Sequence, residues 1–558
     1  RYAMIHTTDK LVLQAAFARE KAHPQRVFMT QPILGEATDY TWGDTMDQAR
    51  RMATYLNALD LPANSNIALI SKNCAHFIIA ELAIWMAGHC TVALYPTLNA
   101  DTVEYILDHS ESKLVFVGKL DDWEHMQAGV SDALPKIALP LAPANDYDQW
   151  DDIIAGNEPL NEDPVWPADQ RALICYTSGS TGRPKGVAHS FGSISAPASL
   201  QGDTLGITED DRIISYLPLA HVMERALVEA GSIYQGVHVF FAEELDTFLQ
   251  DLRRARPTLF ISVPRLWLKF QSGVFQKFPE KKLNLLLKIP IVNNMIRKKL
   301  LDGLGLGDVR MAASGSAPIP ADLIRWYDRL GLNIMEGYGM TEDFAYSHMS
   351  TLEQRAPGTV GFPATGVECR ISDAGEIEVK SPGLMMGYYK APELTAEVMT
   401  EDGYFKTGDR GVYDDGLLRI TGRVKELFKT SKGKYVAPVP LENLLSADSM
   451  IEQCCVSGSG RQACYASLQL ADGLRSKFDD PEFRGKANAH FEKLLNEVNA
   501  QVEGYEALQF LAIVRDSWQV ENDFLTPTLK IKRNNIEAAY EPFLDDWYDS
   551  RQKVIWQD

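Results

Sequence analysis

The sequence predicts an α/β protein of more than one domain: a large N-terminal domain of α/β layers containing a β-rich subdomain, and a small mobile α+β C-terminal domain. Three observations carry this expectation. At 558 residues the chain is too long for one hydrophobic core. Between Thr41 and Phe270, helix-like segments such as Ile78–Ala87 alternate with short apolar or β-branched runs, Ile67–Ile70, Leu114–Val117 and Leu259–Val263, as layered helices and sheet require. From Gly358 to Ile420 the pattern becomes short strands punctuated by Gly and Asp, among them Gly375–Val379 and Tyr413–Ile420, which predicts hairpins.

After Arg423 comes a mixed α/β stretch of about 130 residues, the size of a small domain. The expected division is therefore 1–422 for the N-terminal domain, with the β-rich subdomain at about 358–421, a hinge at 423–425, and 426–558 for the C-terminal domain. Fixed-period repeats and low-complexity tracts are absent from the sequence, which excludes a solenoid or scaffold.

Composition narrows the function. A net charge of -20 disfavours nonspecific nucleic-acid binding, since a phosphate backbone needs a basic surface. Phosphate ligands must then be held by local basic groups. The seven cysteines show neither zinc-ribbon nor disulfide-framework spacing, which suggests a reducing compartment. The sequence has no apolar run of roughly 18 to 20 residues to span a bilayer and no signal-peptide pattern; the expected location is cytoplasmic. One segment qualifies this. Leu283–Ile296 is mostly apolar and is flanked by Lys281, Lys282, Arg297, Lys298 and Lys299. A solvated surface helix and peripheral contact with an anionic membrane are both open there, as are a monomer and a homodimer for the assembly.

The strongest chemical signal is Tyr176-Thr-Ser-Gly-Ser-Thr-Gly-Arg-Pro-Lys-Gly186, directly after the apolar run Ala172–Cys175. Glycines and small hydroxyl residues following a strand let backbone amides and side-chain hydroxyls crowd around phosphate oxygens, and Lys185 adds charge. The phosphate-gripping residues are then Thr177, Ser178, Gly179, Ser180, Thr181, Gly182 and Lys185. The loop lacks Walker spacing. Farther along, Tyr338 between two glycines offers a flat face for a purine. Thr341 and Glu342 supply a hydroxyl for phosphate and a hard oxygen for Mg²⁺. Asp409, after a Thr-Gly turn, has two oxygens that suit two ribose hydroxyls, although a turn or capping role fits it equally.

With these segments in this order, the chain resembles the adenylate-forming superfamily of acyl-CoA synthetases, aryl-CoA ligases, luciferases and peptide-synthetase adenylation domains. Ser314-Gly-Ser-Ala-Pro318 and Met335-Glu-Gly-Tyr-Gly-Met-Thr-Glu342 look like its adenine and phosphate–metal segments. Tyr404-Phe-Lys-Thr-Gly-Asp409 looks like its ribose turn, Gly422–Lys429 its hinge, and Leu525-Thr-Pro-Thr-Leu-Lys-Ile-Lys-Arg533 its C-terminal lysine loop. The resemblance implies a nucleotide held by Gly315, Ser316, Ala317, Glu336, Gly337, Tyr338, Gly339, Thr341, Asp409 and Arg423, with Glu342 on the metal. It implies Lys425 as the pivot and Lys530 as the catalytic lysine of adenylation, with Lys532 the competing assignment.

The implied reaction is ligation of an acid to CoA through an acyl-adenylate, using ATP and Mg²⁺, with the C-terminal domain swinging between two orientations. Lys432 stands where relatives usually show a glycine, so CoA contacts at Lys432, Gly433 and Lys434 can be to its backbone or to its phosphates. Leu217-Pro-Leu-Ala-His-Val-Met-Glu-Arg225 and Val263-Pro-Arg-Leu-Trp267 resemble the long-chain fatty acyl-CoA synthetase branch. Fatty acid is the first expectation for the substrate, with His221 and Trp267 at an acyl pocket; each is also an ordinary core residue in the making. The alternatives are another acid or a carrier-protein acceptor.

Overall fold

The computed structural model describes residues 10–177, 183–526 and 528–557. Two large sheets form the first body. An eight-stranded sheet has at its centre the parallel strands Cys90–Leu94, Asn66–Ile70 and Val115–Val117, and a nine-stranded sheet is built around Arg212–Ser215, Leu259–Ser262, Met311–Ser314 and Ile334–Tyr338. Asn66–Ile70 and Cys90–Leu94 are buried at every position, so they read as continuous apolar runs rather than as alternating ones.

Helix Ala75–Met86 contacts Cys90–Leu94 of one sheet and Val27–Ile33 of the other. Covered on both sides, it is buried at all of its residues, and its sequence is correspondingly apolar all round. The exceptions are His76 and Glu81, and Glu81 is 0% exposed. It meets Arg225, itself 1% exposed, from the opposite element. Arg225 opens a π-helical turn, Arg225–Ala230, and its Nε lies 2.9 Å from Glu229 on the same turn. Burial, followed by the charge of Glu81, pushes the Glu229 carboxyl well above the ordinary range. One cation thus serves two carboxylates in the interior.

The expected β-rich region is more divided than its sequence suggests. Glu368–Ile371, Glu376–Lys380, Phe405–Asp414 and Leu417–Arg423 make a separate antiparallel sheet. Phe362–Pro363 and Gly387–Tyr388, however, extend the two large sheets, and Pro392–Val398 is helical. The run Tyr413–Ile420 is a hairpin that turns at Asp415-Gly416, both with positive φ (50° and 82°), the conformation for which Asp-Gly is favoured.

The last strand of this sheet ends at Arg423 and a 3₁₀ turn, Val424–Glu426, follows. Beyond it, Ile451–Ser457, Cys464–Leu470, Leu508–Val514 and Val554–Trp556 form a mixed four-stranded sheet. Its two faces bury separate cores: Leu511 and Ile513 face one, Phe510, Ala512 and Val514 the other, as the two-residue period of a strand covered on both sides demands. Arg265 of the first body forms an ion pair with Glu452 of this sheet. All seven cysteines are free.

Residues 281–300 belong to two short helices, Glu280–Leu286 and Pro290–Gly303, separated where Pro290 starts a new first turn. Among the described residues no helix is long and apolar enough to cross a membrane.

Replacing Arg225 with Met leaves Glu81 and Glu229 buried without their cation. We expect destabilisation of about 3–5 kcal/mol, read as a fall in the thermal or denaturant midpoint. Glu229→Gln, which keeps the shape and replaces a carboxyl that burial already favours in its neutral form, should cost far less.

Candidate active site

One cavity of ≈ 1860 Å³ runs between the first body and the C-terminal body, and most of the described residues singled out from the sequence line it. Strands Arg171–Thr177 and Lys185–Ser190 are antiparallel, with Thr177 directly opposite Lys185. This pins the two ends of the glycine-rich loop at the cavity wall; Ser178, Gly179, Ser180, Thr181 and Gly182 lie outside the described residues. The Lys185 ammonium lies 5.4 Å from the centre of the Tyr388 ring, a cation–π distance. The Tyr388 hydroxyl donates to Glu342 Oε1 at 2.8 Å.

Thr341 and Glu342 sit on the 3₁₀ turn Thr341–Asp343. The turn is held from beneath by His189, whose Nε2 donates to the Thr341 carbonyl at 2.7 Å. Gly339 is required before it, because a Cβ there would lie 2.5 Å from the backbone of Ala345. On the neighbouring segment Gly315, Ser316 and Ala317 line the cavity. Ser316 is held at φ +66°, a strained conformation of the kind found at functional sites.

Asp409 and Arg423 are cross-strand partners. Arg423 Nε donates to Asp409 Oδ1 at 2.9 Å, and the Tyr338 hydroxyl donates to Oδ2 at 2.7 Å. Each carboxylate oxygen therefore has one protein partner and keeps capacity for a ligand hydroxyl. Burial and then Asp409 hold the Tyr338 phenol well above its ordinary pKa, so it stays a donor. Gly337 and Glu336 complete this wall. The Glu336 carboxyl accepts from Gly358 N at 3.0 Å and is pushed up by burial to about 8.

From the C-terminal body Lys530 reaches the same space. It is open to the cavity's own volume but surrounded by protein. That enclosure, and then Arg423, lower its pKa, while Asp409, Glu426 and Glu342 act in the opposite direction. Lys530 N donates to Thr526 Oγ1 at 3.1 Å and Thr526 N to the Lys530 carbonyl at 2.8 Å; Leu529 before it takes φ +60°. The neighbouring Lys532 is engaged by Asp523. Arg533 anchors the loop through Glu442 at 2.7 and 3.0 Å. Lys425 is exposed on the 3₁₀ turn and also borders the cavity.

A second arm of the cavity is apolar, walled by Ala198, Leu205, Val222, Ala226, Leu227 and Val237 over a floor of Ile213, Leu259 and Met311. His221 stands at its junction with the nucleotide end. Met223 N donates to His221 Nδ1 at 3.2 Å, which places the ring proton on Nε2. Burial, then the charge of Lys530, lower its pKa to about 4.

One expectation needs correction, and another group stands apart from the cavity. Trp267 is 0% exposed and lies outside the cavity lining. It packs against Phe260 at 5.2 Å and Tyr327 at 5.0 Å, because the helix Pro264–Lys277 turns that side chain into the core between sheet and helix. Lys432, Gly433 and Lys434 are exposed on the hairpin joining Phe428–Lys429 to Tyr435–Val436 and also lie outside the cavity lining. With Lys530 turned inward, this hairpin faces outward. Sequence reasoning missed Tyr388, His189, Glu426 and Met223. Tyr388 and His189 reach Glu342 and Thr341 across 46 and 152 residues, a separation that leaves no local signal.

Among the described residues, no group of three or more His, Cys, Asp or Glu could hold a metal by itself. Glu342, a single hard carboxylate bordering the cavity, fits the one- or two-carboxylate share that Mg²⁺ takes when nucleotide phosphates supply the rest.

A two-sheet body, a small C-terminal body and a shared cavity lined by acidic and basic groups are the arrangement an adenylate-forming enzyme needs. The chain belongs to the AMP-binding enzyme family: that family's model matches residues 16–389, and the model for the AMP-binding enzyme C-terminal domain matches 426–552. It is 30% identical over 95% of its length to the long-chain-fatty-acid–CoA ligase FadD15 of Mycobacterium bovis, covering 97% of that protein. It is 28% identical over 92% of its length to the peroxisomal long chain acyl-CoA synthetase 6 of Arabidopsis thaliana, covering 83% of that protein. Its fold matches the adenylation domain of the carboxylic acid reductase from Segniliparus rugosus, solved with AMP and a carboxylic acid (TM-score 0.79, 22% identity, 98% of this chain and 95% of that one). It also matches the anthranilate CoA ligase AuaEII, solved with anthranoyl-AMP (TM-score 0.79, 19% identity, 96% and 98%).

The buried carboxyls give a pH prediction. Glu336, Glu224 and Asp343 are raised by burial to about 8, 8 and 7, so the folded state holds protons that the unfolded state has released above about 4.5. Their stabilisation is complete below that value and is lost as pH rises through the folded pKa values. Thermal midpoints should fall as pH rises from about 4.5 to about 8 and level off above that, and the Glu336→Gln variant should fall less steeply over the same range.

Proposed function

We propose that this enzyme joins a long-chain fatty acid to coenzyme A in two half-reactions. In the first, the acid's carboxylate oxygen attacks the α-phosphorus of ATP, forming the acyl–phosphate bond as the bond to pyrophosphate breaks. In the second, the CoA thiol sulfur attacks the acyl carbonyl carbon, AMP leaves with its electron pair, and the thiol proton passes to solvent. The observation that carries the substrate class is the apolar arm of the cavity, which starts beside His221 and Ser314 and is floored by Ile213, Leu259 and Met311. A hydrocarbon chain buried there gains roughly 0.8 kcal/mol per methylene. The similarity to long-chain fatty acid ligases supports the same choice.

The nucleotide would lie with its adenine and phosphates against Gly315, Ser316, Ala317, Glu336, Gly337, Tyr338, Gly339 and Thr341. Asp409 would receive the ribose, with Arg423 beside it, and Thr177, Lys185 and the glycine-rich loop would take the distal phosphates. Mg²⁺ held by Glu342 and the phosphates would supply charge neutralisation at the phosphoryl centre. Lys530, near Glu342 and Asp409 electrostatically, would stabilise negative charge developing where the carboxylate attacks. Lys425 marks the pivot from which the C-terminal body rotates to bring Lys432, Gly433 and Lys434 toward CoA. In this division, the geometry with Lys530 inward serves the first half-reaction.

Lys530→Ala should reduce acid-dependent pyrophosphate release by two orders of magnitude or more, about 3 kcal/mol in the barrier. Thioester formation from supplied acyl-adenylate should be within a few-fold of wild type. Equal loss in both assays would sink the assignment.

We also propose that the helices Glu280–Leu286 and Pro290–Gly303 rest on an anionic bilayer, where the acid is found. Leu285, Ile289 and Met295 are 64%, 43% and 65% exposed, beside exposed Lys282, Lys288, Lys298 and Lys299. Lysines of this kind each contribute about 1 kcal/mol near such a surface. The protein should sediment with phosphatidylserine vesicles at low salt and stay in solution with phosphatidylcholine ones. Binding that persists unchanged in a Lys282→Glu, Lys298→Glu, Lys299→Glu variant would refute the contact.

A further inference from the structure

The apolar arm does not stay apolar. Its length can be followed on two elements. Ser314 borders the nucleotide segment, and along the paired strands Met311, Leu259 and Ile213 lie about 10 Å farther in, three residues at about 3.3 Å each. On the facing helix Met223 is beside the nucleotide segment, its sulfur accepting from Ser316 Oγ at 3.3 Å. Ser232 follows nine residues later, roughly 13 Å down the arm at about 1.5 Å per residue.

Ser232 is 1% exposed, borders the cavity, and its hydroxyl has no hydrogen-bond partner. One turn on, Gln235 borders the same space. Its amide lies over Gly202, where an added Cβ would approach Nε2 to 2.2 Å, and Nε2 donates one of its two protons to Asp203 Oδ1 at 3.4 Å. Gln201, next to Gly202 on the opposite helix, also borders the cavity. Three polar side chains, Ser232, Gln235 and Gln201, therefore line the cavity on the facing segments that also carry Ala198, Leu205 and Ala226. A plain alkyl chain reaching Ser232 removes water from it and offers nothing in return, whereas an unpartnered buried hydroxyl is a stronger discriminator than an extra methylene.

We propose that the substrate is a fatty acid carrying a hydroxyl group near the far end of its chain, and that Ser232, with the amides of Gln235 and Gln201, binds that oxygen. The inference rests on the fatty-acyl reading of this arm and narrows it to an oxygenated class. The Ser232 hydroxyl both donates and accepts, as does an alcohol, and each amide adds a donor and an acceptor. Gln235 follows Ser232 on the helix that starts from Met223, so the polar group sits far from the nucleotide segment rather than beside it.

The test compares kcat/KM for dodecanoate with that for a set of hydroxydodecanoates bearing the hydroxyl on each of the last five carbons, using pyrophosphate release. At least one hydroxy acid should exceed dodecanoate by about tenfold. Ser232→Ala should remove that preference, lowering the hydroxy acid while leaving dodecanoate unchanged or improved. Thermal stabilisation by the same acids gives a second reading that is independent of turnover. Dodecanoate equal to or better than every hydroxy acid would overturn the proposal, as would a preference that survives Ser232→Ala. Failure of the whole set to release pyrophosphate would bring down the fatty-acyl reading, and this inference with it, a result distinct from either of the others.

Discussion

The fold turns on a cation that cannot leave. Arg225 is enclosed between Glu81, on the helix buried between the two sheets, and Glu229, one π-helical turn on. Its guanidinium also lies 5.5 Å from the Phe77 ring centre. A charge in that position is tolerable only while its partners stay in place. It therefore fixes the π turn Arg225–Ala230 against the core helix. The other side of that segment, Ala226 and Leu227, is a wall of the apolar arm. The width of the channel and the strength of the core are set by the same contact.

The nucleotide end follows a related logic in a wetter setting. A chain with net charge -20 presents phosphates with an unfavourable field, so attraction has to be local. Lys185, Arg423 and Lys530 provide it, each beside an acidic or aromatic partner. Asp409 is held by Tyr338 and Arg423, and Glu342 by Tyr388. Such partners fix the carboxylates in advance, which lowers the reorganisation needed when a ligand arrives.

Ion pairs mark the boundary between the two bodies. Arg265 forms its ion pair with Glu452 across the boundary, immediately after the strand that neighbours the Ser314 segment. Arg533 ties the lysine loop to Glu442 and, at 3.5 Å, to Glu426 of the turn after Arg423. The lysine loop is thus braced to the segment about which its own domain would pivot.

What the sequence determined by itself was whatever is written in short stretches. Alternating helical and β-branched runs specified layered α/β architecture, because burial on both faces demands unbroken apolar strands such as Asn66–Ile70. The segments flanking Thr177 and Lys185, the Gly-Tyr-Gly before Thr341 and the Lys530 loop stood out as candidates because each is a short local pattern. Only the tertiary structure decided what lies between them. It showed that Trp267 is core, since helix direction rather than sequence position decides which way a side chain faces. It joined Tyr388 to Glu342 and Glu81 to Arg225 and set Ser232 on the cavity wall, placements that bring together segments far apart in the chain. Such contacts leave no mark in a local pattern, because either partner alone reads as an ordinary core or surface residue.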